Sequence, residues 1–166
     1  GVLTNLSPDH LDRYAALDDY YADKDRLFAN ARRGSMWVTN ADDVEVLRRT
    51  ARVPGEHRRF SVAGLQVEAL YDEAHQTVQL LDEPFVTRAE IPLLGNHNVA
   101  NVLAAALAVA SADHAFTTTP VRGRLRAGVA SFRALPNRLE VVSDAGGVTW
   151  INDSKATNVA SARVAI

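Results

Sequence analysis

Trp150-Ile151-Asn152-Asp153-Ser154-Lys155-Ala156-Thr157-Asn158 is the stretch from which the fold is read. Two apolar residues close a strand-like segment after Gly146-Gly147-Val148, a run of small and polar residues follows, and Val159-Ala160-Ser161-Ala162 can continue as a helix. Strand, loop and helix in that order is the grammar of an open α/β sheet, where ligands sit in the crevice beyond the carboxyl ends of the strands. A carboxylate, an ammonium, two hydroxyls and two amides crowd into the loop, more polar equipment than a turn requires. The plainer alternative is a polar connection in which Thr157 or Asn158 caps the following helix.

The rest of the composition narrows the classes. At 166 residues the chain has the length of one domain, and 47% apolar content is enough for a substantial core. A net charge of −2 gives no electrostatic case for nucleic acid. The absence of cysteine removes disulfide frameworks and thiolate metal sites. No apolar run reaches about 18 residues, so no membrane-spanning helix is expected. The chain opens on what reads as the tail of a buried strand (Val2-Leu3, then Thr4-Asn5) and stops mid-pattern at Val164-Ala165-Ile166, so it is expected to be cut from a larger protein.

Outward from the opening stretch, hydrophobic periodicity predicts helices over 17–31, 42–52, 95–112 and 120–132. Strands are predicted over 36–40, 58–62 and 85–91, with a hairpin of 65–71 and 77–80 between them. Residues 136–142 lead into a further strand that Gly146-Gly147 turns into the next. The fold class is therefore α/β: a mostly parallel sheet flanked by helices, with a small antiparallel sub-sheet. Arg122, Arg124 and Arg126 read as a solvated helix face.

Three polar clusters stand out. Asp9, His10 and Asp12 place oxygen and imidazole donors in a loop begun by Ser7-Pro8, which also reads as a simple Asx turn with a surface histidine. In the helix over 17–31, position 24 shares the stripe of Tyr20 and Phe28, yet it is Lys24. A lysine in a core-facing stripe must snorkel, pair or lose its charge. Finally, Asn98 and Asn101 lie three apart at the start of the alanine-rich helix and share a face. Paired amides there suit the edge of a flat heterocycle, or simply cap and solvate the helix start.

With these pieces assembled, the chain resembles the Mur ligases, ATP-dependent enzymes that add amino acids to a UDP-muramoyl precursor of peptidoglycan. Asn5-Leu6-Ser7-Pro8-Asp9-His10-Leu11-Asp12 resembles the family's N-x-x-x-D-H-x-D loop, and Tyr21-Ala22-Asp23-Lys24 its helix with a modified lysine. Gly95-Asn96-His97-Asn98-Val99-Ala100-Asn101 is similar to the H-N-x-x-N adenine helix, and Pro136-Asn137-Arg138-Leu139-Glu140 to the P-x-R-x-E strand, where histidine is frequent in place of Asn137. Asn152 to Asn158 discriminates within the family: it resembles the branch that adds D-glutamate to UDP-N-acetylmuramoyl-L-alanine.

What the resemblance implies is an amide ligase working through an acyl phosphate, with ATP and Mg²⁺. His10 and a carbamylated Lys24 would be catalytic and would hold the metal. Asn98, Asn101, Arg138 and Asp153 would bind ATP, and Lys155 and Thr157 the D-glutamate. A cytoplasmic, monomeric enzyme acting on small molecules is expected, with no nucleic-acid or membrane partner. The 166 residues contain no G-x-x-x-x-G-K-S/T phosphate loop. They read as part of a central ATPase domain, without the UDP-binding and C-terminal domains, and inactive alone. Competing readings are a ligase of the folylpolyglutamate synthetase type, against which the 152–158 loop speaks, and a binding module that keeps the scaffold without catalysis.

Overall fold

A six-stranded sheet carries the fold in the computed structural model, which describes residues 1–8, 11–157 and 159–165. Strands Val2–Leu3 (β1), Met36–Asn40 (β2), Glu56–Ser61 (β3) and Ala69–Asp72 (β4) run parallel in that order. Thr77–Leu80 (β5) and Glu83–Thr87 (β6) complete the sheet by antiparallel pairing. β2 buries Trp37, Val38 and Thr39 in succession, the run expected of a parallel strand covered on both faces. β5 alternates, with Val78 and Leu80 buried between half-buried Thr77 and Gln79. Leu81 and Asp82, both at positive φ, make the two-residue turn into β6.

The first half of the expected hairpin is shorter than its alternation suggests, because side chains take the amides a ladder would need. Asp42 Oδ2 accepts from Val62 N at 2.7 Å, and Ser61 Oγ accepts from Ala63 N and Leu65 N at 3.1 Å each. The chain is held in a loop until β4.

Asn96–Ala112 (α3) lies on the sheet. Val99, Val102, Leu103, Ala106, Leu107 and Ala110 are buried at helical spacing and join Val38, Phe60, Val78, Leu80 and Val86 in one core. Leu17–Asp25 (α1) is shorter than the helix expected over 17–31, and continues as a 3-10 turn at Arg26–Phe28. Val44–Thr50 (α2) starts at Asp43, whose Oδ1 accepts from Glu45 N and Val46 N at 2.9 and 3.0 Å. Arg49 of α2 ties the two helices together. It pairs with Asp25 and Asp18, and its guanidinium lies 4.6 Å from the Tyr21 ring centroid.

Thr119–Ser131 (α4) corrects one expectation. Arg122 is not a solvated face: its side chain is 14% exposed, donates to Leu80 O and Pro84 O at 3.3 Å each, and pairs with Glu83. Arg126 binds Glu90 at 2.6 Å. Both fasten α4 to the β5–β6 end of the sheet.

Glu140–Ala145 (β7) and Val148–Asn152 (β8) form a separate two-stranded antiparallel sheet around Gly146-Gly147. The strand ending at Asn152 is therefore a hairpin arm and not a member of the main sheet. Its loop does not sit in a parallel-sheet crevice, and Val159–Ala165 (α5) follows.

Candidate functional site

Two regions collect the polar residues singled out above. The first lies at the carboxyl ends of β1 and β2. Asn40 Nδ2 donates to Thr4 O at 2.9 Å, and Asp43, besides capping α2, accepts from Leu6 N at 2.8 Å through its other oxygen. One carboxylate thus fixes both a helix start and the segment leaving β1. Tyr20 of α1, 7% exposed, donates its hydroxyl to Ser7 O at 3.1 Å. The loop toward His10 is therefore held from three sides; Asp9 and His10 themselves lie outside the described residues.

Lys24 belongs to this region, although not as its sequence pattern suggested. It is exposed, so the premise of a buried ammonium is not met. The buried face of α1 is the neighbouring pair Tyr20 and Tyr21, while Leu17 and Leu27, at the ends of the expected stripe, are 42% and 46% exposed. Lys24 Nζ stands 5.2 Å from the Tyr20 ring centroid, a cation–π contact. Tyr20 consequently touches Lys24 with its ring and the His10-bearing loop with its hydroxyl. Asp25, the residue after Lys24, is the partner of Arg49.

The second set of polar residues is divided between the start of α3 and the β7–β8 hairpin. Asn98 Nδ2 donates to Leu94 O at 2.7 Å, and Asn98 Oδ1 accepts from Asn101 Nδ2 at 3.2 Å. The expected pairing on one face is present, and Asn101 Oδ1 takes no hydrogen bond among the described residues. Asn101 also lines an apolar cavity of about 390 Å³ between α3 and α4.

The motif at 136–140 and the loop at 152–158 meet at Asn137, which sequence reasoning treated only as a departure from the family pattern. Asn137 sits at φ 64, a left-handed conformation that asparagine tolerates better than most residues. Its Oδ1 accepts from Asn152 Nδ2 at 3.0 Å and Ser154 Oγ at 3.2 Å. Its backbone N–H donates to Glu140 at 2.8 Å, and its carbonyl accepts from Lys155 N at 3.2 Å. Asp153 Oδ1 adds a bond from Leu139 N at 3.1 Å, so this carboxylate has a structural partner beside any ligand role. Asparagine next to the arginine was the available signal, but only the fold shows what it binds. Arg138, Lys155 and Thr157 are exposed, with no side-chain partner among the described residues.

His97 lies between Asn96 and Asn98. It is half-buried on the first turn of α3, and burial lowers its pKa while the nearby Asp153 carboxylate raises it. The structure thus brings Asn98 and Asn101 together on α3, and the segment of Arg138 together with that of Asp153 and Lys155 at the hairpin. No contact among the described residues joins Lys24 to them, and no group of three or more His, Asp or Glu positioned for a metal occurs among those residues.

Comparison with known proteins bears on this geometry. Residues 1–109 match the Mur ligase middle domain. The UDP-N-acetylmuramoylalanine–D-glutamate ligase of Acidobacterium capsulatum is 39% identical over 170 residues, covering 99% of this chain and 36% of that protein. Its namesake from Vibrio cholerae serotype O1 is 39% identical over 166 residues, covering 98% and 35%. The chain thus spans little more than a third of the length of the curated relatives it matches. Among solved structures, MurF from Acinetobacter baumannii shares the fold, with a TM-score of 0.73 at 19% identity over 98% of this chain and 35% of that one. With its middle-domain match covering the sheet and most of α3, the chain belongs to the Mur ligase family.

Proposed function

We propose that this chain is part of an ATP-dependent amide ligase of peptidoglycan precursor synthesis, which joins D-glutamate to UDP-N-acetylmuramoyl-L-alanine. The observation that carries the reading is the interlock at Asn137. It spends the 136–140 and 152–155 segments on each other and leaves the side chains of Arg138, Lys155 and Thr157 unpaired among the described residues. Free cations on a fixed backbone suit anionic partners, here phosphates and a dicarboxylic amino acid. The names and identities of the relatives support the choice of D-glutamate.

In this reading the muramoyl-alanine carboxylate attacks the γ-phosphorus of ATP, ADP leaves, and an acyl phosphate results. The D-glutamate amine then attacks the acyl carbon, phosphate leaves, and the amine gives up a proton as the amide forms. Asn98 and Asn101 hold the adenine edge, for which Asn101 Oδ1 is available. Arg138 and the free oxygen of Asp153 take the phosphate and ribose side, while Lys155 and Thr157 orient the amino-acid carboxylates. His10 and carbamylated Lys24 would hold Mg²⁺, an ion that commonly takes only one or two protein ligands beside phosphate and water. When bound, it neutralises charge on the transferring phosphoryl group. The exposure of Lys24 leaves its amine open to CO₂.

The rest of the central domain, with its phosphate loop, and the UDP-binding and C-terminal domains are read as lying in the remainder of the protein. Among the described residues no helix is long and apolar enough to cross a membrane. The same reading makes the intact enzyme a cytoplasmic monomer.

The test is amide formation by the intact ligase with ATP, UDP-N-acetylmuramoyl-L-alanine and D-glutamate. Lys155→Ala is expected to raise KM for D-glutamate about tenfold or more with little change in kcat, the signature of lost uniform binding. Comparable kcat/KM with meso-diaminopimelate in place of D-glutamate would overturn the assignment.

A further inference from the structure

The cavity of about 390 Å³ between α3 and α4 has the size of sites that take small organic molecules. Its apolar lining includes Phe85 and Ile91, Val102 and Ala106 of α3, and Leu125 and Val129 of α4. No residue of α4 is buried; Leu125 and Val129, about one helical turn apart, are only partly buried against the core. The ties that place α4 are polar: Arg122 to Leu80 O and Pro84 O, and Arg126 to Glu90. The helix is thus fastened by arginines while its apolar face stays incompletely covered.

Gly128 adds to this space. It lines the cavity from the interior of a 13-residue helix, where glycine is a poorer helix former than alanine. Neither a positive φ nor a close neighbour calls for glycine there, since a Cβ would meet no atom within 4 Å. Two polar side chains line the same cavity, Asn101 and Arg124, and no acidic residue does. Asn101 is given to the adenine in the reading above and plays no part here. Arg124 is exposed, and its guanidinium has no partner among the described residues, whereas Arg122 and Arg126, two positions away on either side, are both paired.

From this geometry we infer that the cavity is a binding site, separate from the nucleotide's, for a small amphipathic carboxylate. Its apolar body lies between α3 and α4, driven there by removal from water. Its carboxylate lies on Arg124, whose planar fork of donors matches two carboxylate oxygens. The site goes beyond the ligase reading and does not depend on it.

The experiment uses the intact ligase, with naphthoate as the probe and neutral naphthamide as its comparison, read by NMR of the valine and leucine methyl groups. Naphthoate is expected to shift the methyls of Val102, Leu125 and Val129, and to do so equally with saturating ADP present. Gly128→Leu fills the open volume and is expected to weaken binding of both probes about tenfold or more. Arg124→Gln is expected to weaken naphthoate about fivefold, the range of a solvated ion pair, and to leave naphthamide unchanged. Because Arg124 is exposed, this variant decides the matter even if Gly128→Leu fails to fold. No shift at the three methyls in the unmodified ligase would overturn the site, and so would shifts at Val142 and Val148 alone, which would put the probe on the exposed hairpin. Displacement of naphthoate by ADP would make the cavity part of the nucleotide site and overturn a separate one. Identical responses of the two probes to Arg124→Gln would overturn the carboxylate assignment.

Discussion

At the scale of single residues, Asn137 and Lys24 illustrate two kinds of dependence. Asn137 combines a backbone requirement with a hydrogen-bonding one, and the two are separable. Asn137→Gly keeps the positive φ and removes the amide that accepts from Asn152 and Ser154. Asn137→Ala removes the amide and adds strain. Alanine is therefore expected to be the worse of the two by roughly 1 kcal/mol, the penalty of a left-handed non-glycine residue. Both changes should raise KM for D-glutamate, since the loop that carries Lys155 loses the side-chain oxygen that holds Asn152 and Ser154, while the residue-137 carbonyl that accepts from Lys155 N remains. Equal KM values in the variants and the parent would show the interlock to be unrelated to the amino-acid site. For Lys24 the prediction concerns charge sign. If its role is to present a carbamate, Lys24→Ala and Lys24→Arg should both abolish activity of the intact ligase, because a guanidinium keeps its proton and cannot be carbamylated. High formate or acetate should restore part of the activity of Lys24→Ala only. Normal turnover in Lys24→Arg would remove the carbamate from the mechanism.

At the scale of elements, arginines fasten the helices that lie outside the apolar core. α4 is fastened to the sheet through Arg122 and through the contact of Arg126 with Glu90. Glu90 also closes the 3-10 turn at Arg88–Glu90 by accepting from Thr87 N at 2.9 Å and Thr87 Oγ1 at 3.0 Å. The Arg126 guanidinium first, and the Thr87 amide second, hold the Glu90 carboxyl down at about 2, well below its ordinary 4.5. A depressed carboxyl contributes stability that is fully present above its unfolded value and is lost as pH falls through its folded value. The contribution of Glu90 should therefore fade between about pH 4.5 and about pH 2. Glu90→Gln is expected to cost roughly 1 kcal/mol at pH 7, kept small because the pair is partly solvated. The stability difference between the variant and the parent should shrink on acidification. Glu45, held at about 2 by Arg48 and Arg49, gives a slope of the same sign, so the comparison must be variant against parent and not the acid limb alone. A difference that stayed constant from pH 7 to pH 2 would contradict the account.

For the molecule as a whole, Asn98 and Asn101 on α3 and Lys155 and Thr157 after the hairpin are the groups proposed to take nucleotide and amino acid, but the 166 residues contain no phosphate loop. Phosphoryl transfer in nucleotide enzymes of this type depends on backbone amides and a lysine cradling the β- and γ-phosphates. The purified 166-residue chain is therefore expected to show no ATP hydrolysis above background. Measured turnover by this chain that disappeared with Lys24→Ala would refute that expectation. The hairpin also exposes Val142, Val148 and Trp150, at 57%, 52% and 61%, so its two strands alone leave much of their apolar surface in water.

The sequence by itself determined the kinds and order of the elements and the short polar motifs. Hydrophobic period and turn chemistry act over a few residues: β2 falls at its expected bounds, α3 within a residue of them, and the Gly146-Gly147 turn where its glycines require it. Asn98 and Asn101 share a face because three residues nearly complete a helical turn. Only the tertiary structure decided which strands share a sheet and which stripe is buried. The strand ending at Asn152 has the same local pattern whether it joins the main sheet or an isolated hairpin, and pairing partners far along the chain settle that choice. Lys24 lies on the stripe of Tyr20, yet the residues that α1 buries are Tyr20 and Tyr21, and the lysine is left in solvent. The interlock at Asn137 and the pairing of Arg49 with Asp18 and Asp25 join positions many residues apart. No periodicity encodes such contacts, because they exist only once the elements have packed.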